Sequence, residues 1–176
     1  MSHRIITINR MYGSGGRLLG KALANKENDI PYEELLKVDE KKANQWRLPI
    51  NEQMQMQPQY HFHPMNDVLF ETESKIIERL GKTEDCIIVG RCANYILGDD
   101  CLSLFVYAPY EYRVKAVMER LGREEKSARA LVKKMDKTRK SYYEFFTDRK
   151  WNNLDNYQLC VDTSRFSQDF LVDMLA

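Results

Sequence analysis

The first strong pattern in the chain is Arg4-Ile5-Ile6-Thr7-Ile8, a β-branched apolar run too short for a helix, which predicts a buried strand. It leads into Gly13-Ser14-Gly15-Gly16, after which Leu18, Leu19, Ala22 and Leu23 recur at helical spacing. Asp29 to Asn44 carries a weaker helical face at Leu35, Leu36 and Val38. The period then lapses. Gln45 to Pro64 is dominated by Gln, Met and Pro, and predicts a mobile flap or exposed loop. From Asn66 to Leu80 a helix returns, with Asn66 as its cap, Leu69, Ile76, Ile77 and Leu80 on one side, and Gly81 as its stop.

Cys86 to Val89 and Leu102 to Ala108 read as further buried strands, with Gly90-Arg91 between them. Tyr110 to Leu121 is amphipathic, Val114, Val117, Met118 and Leu121 facing inward and Gly122 closing it. Glu124 to about Phe146 is a long, cation-rich helix, Tyr157 to Val161 a fourth strand, and Ser167 to Leu175 a closing helix. Strands alternating with helices imply an α/β fold, a parallel sheet covered on both faces. A single domain over 1–176 is expected, with the flap at 45–64 and a basic lid segment at 120–150.

Composition narrows the function. The chain has 176 residues, 43% hydrophobic and 30% charged, enough for one real core. A formal net charge of +1 argues against a dedicated nucleic-acid binder. The four cysteines show no paired or metal-finger spacing and read as buried, reduced thiols. His61-Phe62-His63 lacks a third ligand or carboxylate at useful spacing, so no metal site is expected. With no signal-peptide pattern and no apolar run of membrane-spanning length, a cytoplasmic protein with no membrane partner is expected.

Three stretches carry chemistry. Glycines after a first strand let backbone N–H groups curl around an anion at a helix's positive end. Gly13, Ser14, Gly15 and Gly16 meet that requirement, but the full phosphate motif continues with a lysine and a hydroxyl, and here Gly16 is followed by Arg17. The loop alone fits a phosphate site or a structural turn equally well. Arg91, just past a buried strand, faces the same sheet edge, where its planar fork suits a phosphate or pairs with a carboxylate. Between Arg123 and Phe146 cations crowd one segment, mostly as solvated surface. There the Asp136-x-x-Arg139 spacing allows a carboxylate to orient a guanidinium.

Jointly, ITIN…GSGGRLLGKALA, IIVGRCANYIL, LFVYAPYEYRVKAVMER and KKMDKTRKSYYEFF…WNNLDNYQLCVDTS resemble the cytidylate-kinase-like family, relatives of the nucleoside monophosphate kinases. The resemblance implies a three-layer α/β/α fold of the P-loop NTPase type. It implies a phosphotransferase moving a phosphoryl group from ATP or another nucleoside triphosphate, with Mg2+, to a nucleoside monophosphate such as CMP. Its partners would then be small-molecule nucleotides. Gly13, Ser14, Gly15, Gly16, Arg17 and Arg120 would bind the donor, Arg91 the acceptor, and Arg139, beside Asp136, the transferring group. Arg139, Asp136 and Arg17 would be catalytic, and Lys21 and Arg113 would be further cations near the phosphates. Two departures stand out. Gly16 occupies the lysine position, which leaves open a non-catalytic nucleotide-binding or regulatory protein. Ala24-Asn25 also runs too abruptly into Lys26 to hold the family's next strand and helix, so the chain is trimmed or lacks a segment there.

Overall fold

Ile5–Arg10 forms the first strand, β1, which ends two residues beyond its apolar run. The computed structural model of the chain describes residues 3–26 and 64–176; the helix expected at 29–44, the flap expected at 45–64 apart from Pro64, and the His61/His63 pair lie outside them. After β1 come helix α1 (Gly16–Lys26), α2 (Pro64–Thr83), β2 (Cys86–Val89), a short α3 (Ala93–Leu97), β3 (Leu102–Tyr107), α4 (Tyr110–Leu121), α5 (Glu125–Thr147), β4 (Leu159–Asp162) and α6 (Gln168–Leu175).

The four strands are all parallel and ordered β2-β1-β3-β4. β1 lies between two partners, with Ile8 opposite Val89 on one side and Leu104 on the other. From β1 the chain moves outward to β2, then returns across β1 to reach β3. The order therefore reverses beside β1, and such a reversal opens a crevice at the carboxyl ends of the strands.

Apolar side chains fill both faces, so the strands read as continuous hydrophobic runs. On one face Ile8, Ile87, Leu104, Val106 and Val161 pack against Leu19, Leu23 and Ala24 of α1 and Leu171 and Val172 of α6. On the other, Ile5, Cys86 and Ile88 meet Ile77 and Leu80 of α2 and Ala93 of α3. Phe105 on that face meets Tyr143 of α5, Trp151 and Tyr157. This is a three-layer α/β/α arrangement, as the alternating pattern implied.

Three local expectations are corrected. Gly81 does not end α2, which continues to Thr83 and starts at Pro64, ahead of the expected Asn66 cap. A Cβ at Gly81 would stand 2.9 Å from Leu97 Cδ2 and 3.2 Å from Ile5 Cδ1, so this glycine lets the helix lie close to β1 and α3. Leu121 is exposed rather than inward. The last strand begins at Leu159, because Tyr157 is held off it, its hydroxyl donating to the Trp151 carbonyl at 2.6 Å.

Candidate active site

The glycine loop lies at the carboxyl end of β1, in the crevice. Gly13 and Gly15 both have φ of +80°, a left-handed geometry that L side chains rarely adopt. Gly13 is also crowded: a Cβ there would stand 2.8 Å from the Arg113 carbonyl oxygen. The first bond of α1 runs from the Leu19 N–H to the Gly15 carbonyl at 2.9 Å. The amides of residues 16–18 thus have no acceptor within the helix, and they face outward at its positive end.

Hydrogen bonds fix the loop from beneath. The buried Ser14 hydroxyl donates to the carbonyls of Met11 (2.8 Å) and Val106 (3.1 Å), so Ser14 shapes the cradle and its hydroxyl is not turned toward a ligand. Thr163, just after β4, donates its hydroxyl to the Ser14 carbonyl at 2.6 Å. Tyr12 is 3% exposed and packs into the hairpin of α4 and α5 with Val114, Val117, Val132 and Met135.

Asp136 does something different from what its spacing suggested. One carboxylate oxygen accepts the Tyr12 N–H at 2.7 Å and the other accepts Arg113 Nη1 at 2.5 Å. Arg113, counted among the phosphate cations, is buried and also donates to the carbonyls of Ala108 and Tyr12, each at 3.0 Å. The pair ties α4 and α5 to the loop backbone, and Arg113 does not face the crevice as a phosphate cation. Sequence spacing could not show this, since Tyr12 is 124 residues from Asp136.

The remaining cations ring the loop. Arg139 donates from Nη1 to the Arg10 carbonyl at 3.2 Å, with its guanidinium 5.1 Å from the centre of the Tyr12 ring. Arg120, mostly exposed, lies over the same ring at 5.3 Å and donates to the Tyr12 hydroxyl at 3.1 Å. Arg17 is exposed in the first turn of α1, and Lys21 is exposed one turn further on. Arg10, which motif reading overlooked, ends β1 with its Cβ on the α1 side of the sheet. A Cβ at Gly16 would fall 2.6 Å from Arg10 Cβ. The arginine then runs along the sheet edge until its Nη1 fills the space that a side chain at Gly90 would need.

Arg91 sits beyond Gly90 with a left-handed φ of 57°. It pairs with a carboxylate, but a buried one: Glu73 of α2 is 2% exposed and its Oε1 lies 2.9 Å from Arg91 Nη1. The Tyr142 hydroxyl donates to the other Glu73 oxygen at 3.2 Å, and burial, with that carboxylate beside it, holds the Tyr142 phenol protonated well above its ordinary range. Phe70 stacks on Phe146 at 4.2 Å and Tyr142 lies 4.8 Å from Phe146, which makes an aromatic wall beside the pair. Asn9 donates to Asn94 (2.9 Å) and Asn94 to the Tyr143 hydroxyl (3.0 Å), a buried chain fastening the Arg91 turn to β1 and α5.

A cleft of about 600 Å³ opens beside the loop, lined by Gly13, Gly15, Leu18, Tyr112, Arg120 and Phe166. Its exposed aromatic and apolar faces suit a flat aromatic group. A larger cavity of about 1090 Å³ among the described residues lies at the amino ends of the strands, away from the loop and its arginines. The described residues include no group of three side chains able to hold a metal. No described helix is long and apolar enough to cross a membrane.

Residues 5–165 match the model of the cytidylate kinase-like family. The chain belongs to that family. Membership makes a nucleotide-dependent phosphotransferase its general class. Among solved structures, the chain is similar to an uncharacterized protein from Eubacterium ventriosum ATCC 27560, at 32% identity and a TM-score of 0.76, covering 98% of this chain and 96% of that one. It also shares its fold with shikimate kinases from Bacteroides thetaiotaomicron (15% identity, TM-score 0.60, covering 98% and 95%) and Aquifex aeolicus (17%, 0.51, 97% and 92%). Those kinases give the P-loop NTPase fold. Comparison with curated proteins finds no match.

Proposed function

We propose that this family member transfers the γ-phosphoryl group of a nucleoside triphosphate, ATP to begin with, to a nucleoside monophosphate, with CMP as the leading acceptor. The observation that carries the reading is the meeting of donor-type and acceptor-type features at one sheet edge. The glycine cradle with its free helix amides stands on one side, Arg91 on the other, and Arg139 reaches the loop between them. Phosphoryl transfer needs little covalent help from a protein. It needs alignment and positive charge around the moving group.

In the reaction, an oxygen of the acceptor's phosphate forms a bond to the γ-phosphorus as the bond to the β,γ-bridging oxygen breaks, leaving two nucleoside diphosphates. The attacking oxygen is already ionised at neutral pH, so no side chain has to remove a proton. This agrees with Asp136 being committed to Arg113 and the loop rather than presented as a base. Gly15, Gly16 and Arg17 hold the donor phosphates with their amides, Arg17 and Arg120 add charge on the donor side, and Arg91 meets the acceptor phosphate.

The residues present do not fit direct ligation of magnesium: Gly16-Arg17-Leu18 places no hydroxyl in the first turn of α1, and the described residues show no carboxylate cluster. Any magnesium would travel with the phosphates and water. The glycine at position 16 favours the second reading, a nucleotide-binding protein that does no chemistry. A coupled assay of nucleoside diphosphate formation, run with ATP against CMP, UMP, AMP and GMP with and without Mg2+, separates the two. Turnover with one acceptor supports transfer; binding without turnover supports the second reading.

A further inference from the structure

We propose that Arg10, at the end of β1, supplies the phosphate-facing cation that the loop lacks at Gly16. The inference rests on the phosphoryl-transfer reading above and names a residue that the reading does not contain.

Positions 10 and 16 share one volume. A Cβ at Gly16 would stand 2.6 Å from Arg10 Cβ, 3.1 Å from Arg10 Cγ and 3.3 Å from Val106 Cβ. The first and last of these neighbours are Cβ atoms fixed directly to the backbone, which cannot swing away as a side-chain tip does. Any side chain at 16, a lysine included, is therefore excluded in this backbone while position 10 carries a side chain, here arginine. The glycine at 16 is what makes room for Arg10, so the absence of a lysine at 16 and the arginine at 10 are two parts of one exchange.

The path of the side chain fits that exchange. Its stem passes beneath the loop at Gly16, and its guanidinium reaches Gly90, where Nη1 takes the place of any side chain. Gly90 is buried, has φ of +83°, and is followed directly by Arg91. The charge of Arg10 thus lies between the donor cradle and the acceptor arginine, where a phosphoryl group in transit must pass. Arg139 donates to the backbone carbonyl of the same residue, which brings a second guanidinium to the end of β1. A guanidinium stays charged at any working pH and offers two parallel donors to phosphate oxygens, so it serves this role as well as an ammonium. The competing explanation is that Arg10 is a packing brace between two glycine turns.

The test compares ATP with adenosine, by calorimetric titration of the full chain, in the parent, Arg10→Gln, Arg10→Lys and the double variant Arg10→Gly/Gly16→Lys, with melting curves for each. The parent should prefer ATP. Arg10→Gln should lower that preference by about tenfold or more, the size of one charge-assisted hydrogen bond. Arg10→Lys should keep most of it, and the double variant should regain it by restoring a lysine where the arginine no longer blocks one. Gly16→Lys alone should lower the melting temperature without strengthening ATP binding. A folded Arg10→Gln protein that keeps the parent's preference overturns the inference and leaves phosphoryl transfer standing. A parent with no preference for ATP removes the transfer reading and this inference together. If Arg10→Gln does not fold, the double variant decides: folded and ATP-preferring supports the exchange, while folded without preference, or unfolded as well, makes Arg10 a packing residue.

Discussion

Replacing Asp136 with alanine tests whether this carboxylate builds the site or acts in the reaction. Its side chain is 22% exposed and Arg113 only 7%, and the two approach to 2.5 Å. The substitution leaves a buried guanidinium without its counter-charge and the Tyr12 N–H without its acceptor. Breaking a fully buried pair costs about 3–5 kcal/mol. Asp136 is partly solvated, and Arg113 keeps its bonds to the Ala108 and Tyr12 carbonyls, so about 2–3 kcal/mol is the expected loss. In a domain of this size that lowers the melting temperature by roughly 5–10 °C. Asp136→Asn, which retains an acceptor for Tyr12, should lose less. Thermal and urea unfolding measure both, with ATP affinity followed in parallel. Asp136→Ala should weaken ATP binding because the loop loses its anchor. A stability loss under about 0.5 kcal/mol, the level of an ordinary surface change, would refute the anchoring role.

Arg139→Ala should cut turnover by about 100-fold or more with little change in melting temperature, as expected for charge that counts most in the transition state; steady-state kinetics and a melting curve decide it. Arg91→Ala should raise the acceptor KM and also destabilise the fold by about 2–4 kcal/mol, because the buried Glu73 carboxylate loses its guanidinium partner. Adding Glu73→Gln should recover part of that stability while the KM stays high. Burial pushes the thiols of Cys86 and Cys92 up to about 11 and about 12, so both should resist a thiol reagent at pH 8 in the folded chain, with half-buried Cys160 reacting first. Their folded values lie above the unfolded one, so this contribution to stability is complete below an ordinary thiol value of about 8.5 and is lost as pH rises through about 12; urea midpoints should fall across that window.

The parts of this protein that were legible in its sequence are those set by local pattern. The apolar runs at Ile5, Cys86 and Leu102 became adjacent parallel strands, since each is buried on both faces and leaves no ambiguity of period. The glycine loop declared itself through residues that need positive φ. Gly81 misled because a helix stop and a close helix approach ask for the same residue, and only the neighbour Leu97 tells them apart. The short α3 was invisible because five residues hold too little period to register. At the candidate site, Arg91 and Arg139 were singled out from their places after a strand and along a helix, and their roles remain proposals. Glu73, Arg10 and the true partners of Asp136 were not, because each acts through a contact made only when distant segments fold together. Arg10 in particular ends a strand with no motif to mark it, and its meaning appears only beside Gly16 and Gly90.

The most direct test of the account is a crystal structure of the protein with a non-hydrolysable ATP analogue. The phosphates should rest on the amides of residues 15–18 with the base in the cleft between Tyr112 and Phe166, and the γ-phosphate should lie within reach of the arginines at the carboxyl edge of the sheet. An empty glycine loop, with the analogue bound elsewhere, such as the cavity at the amino ends of the strands, would contradict it.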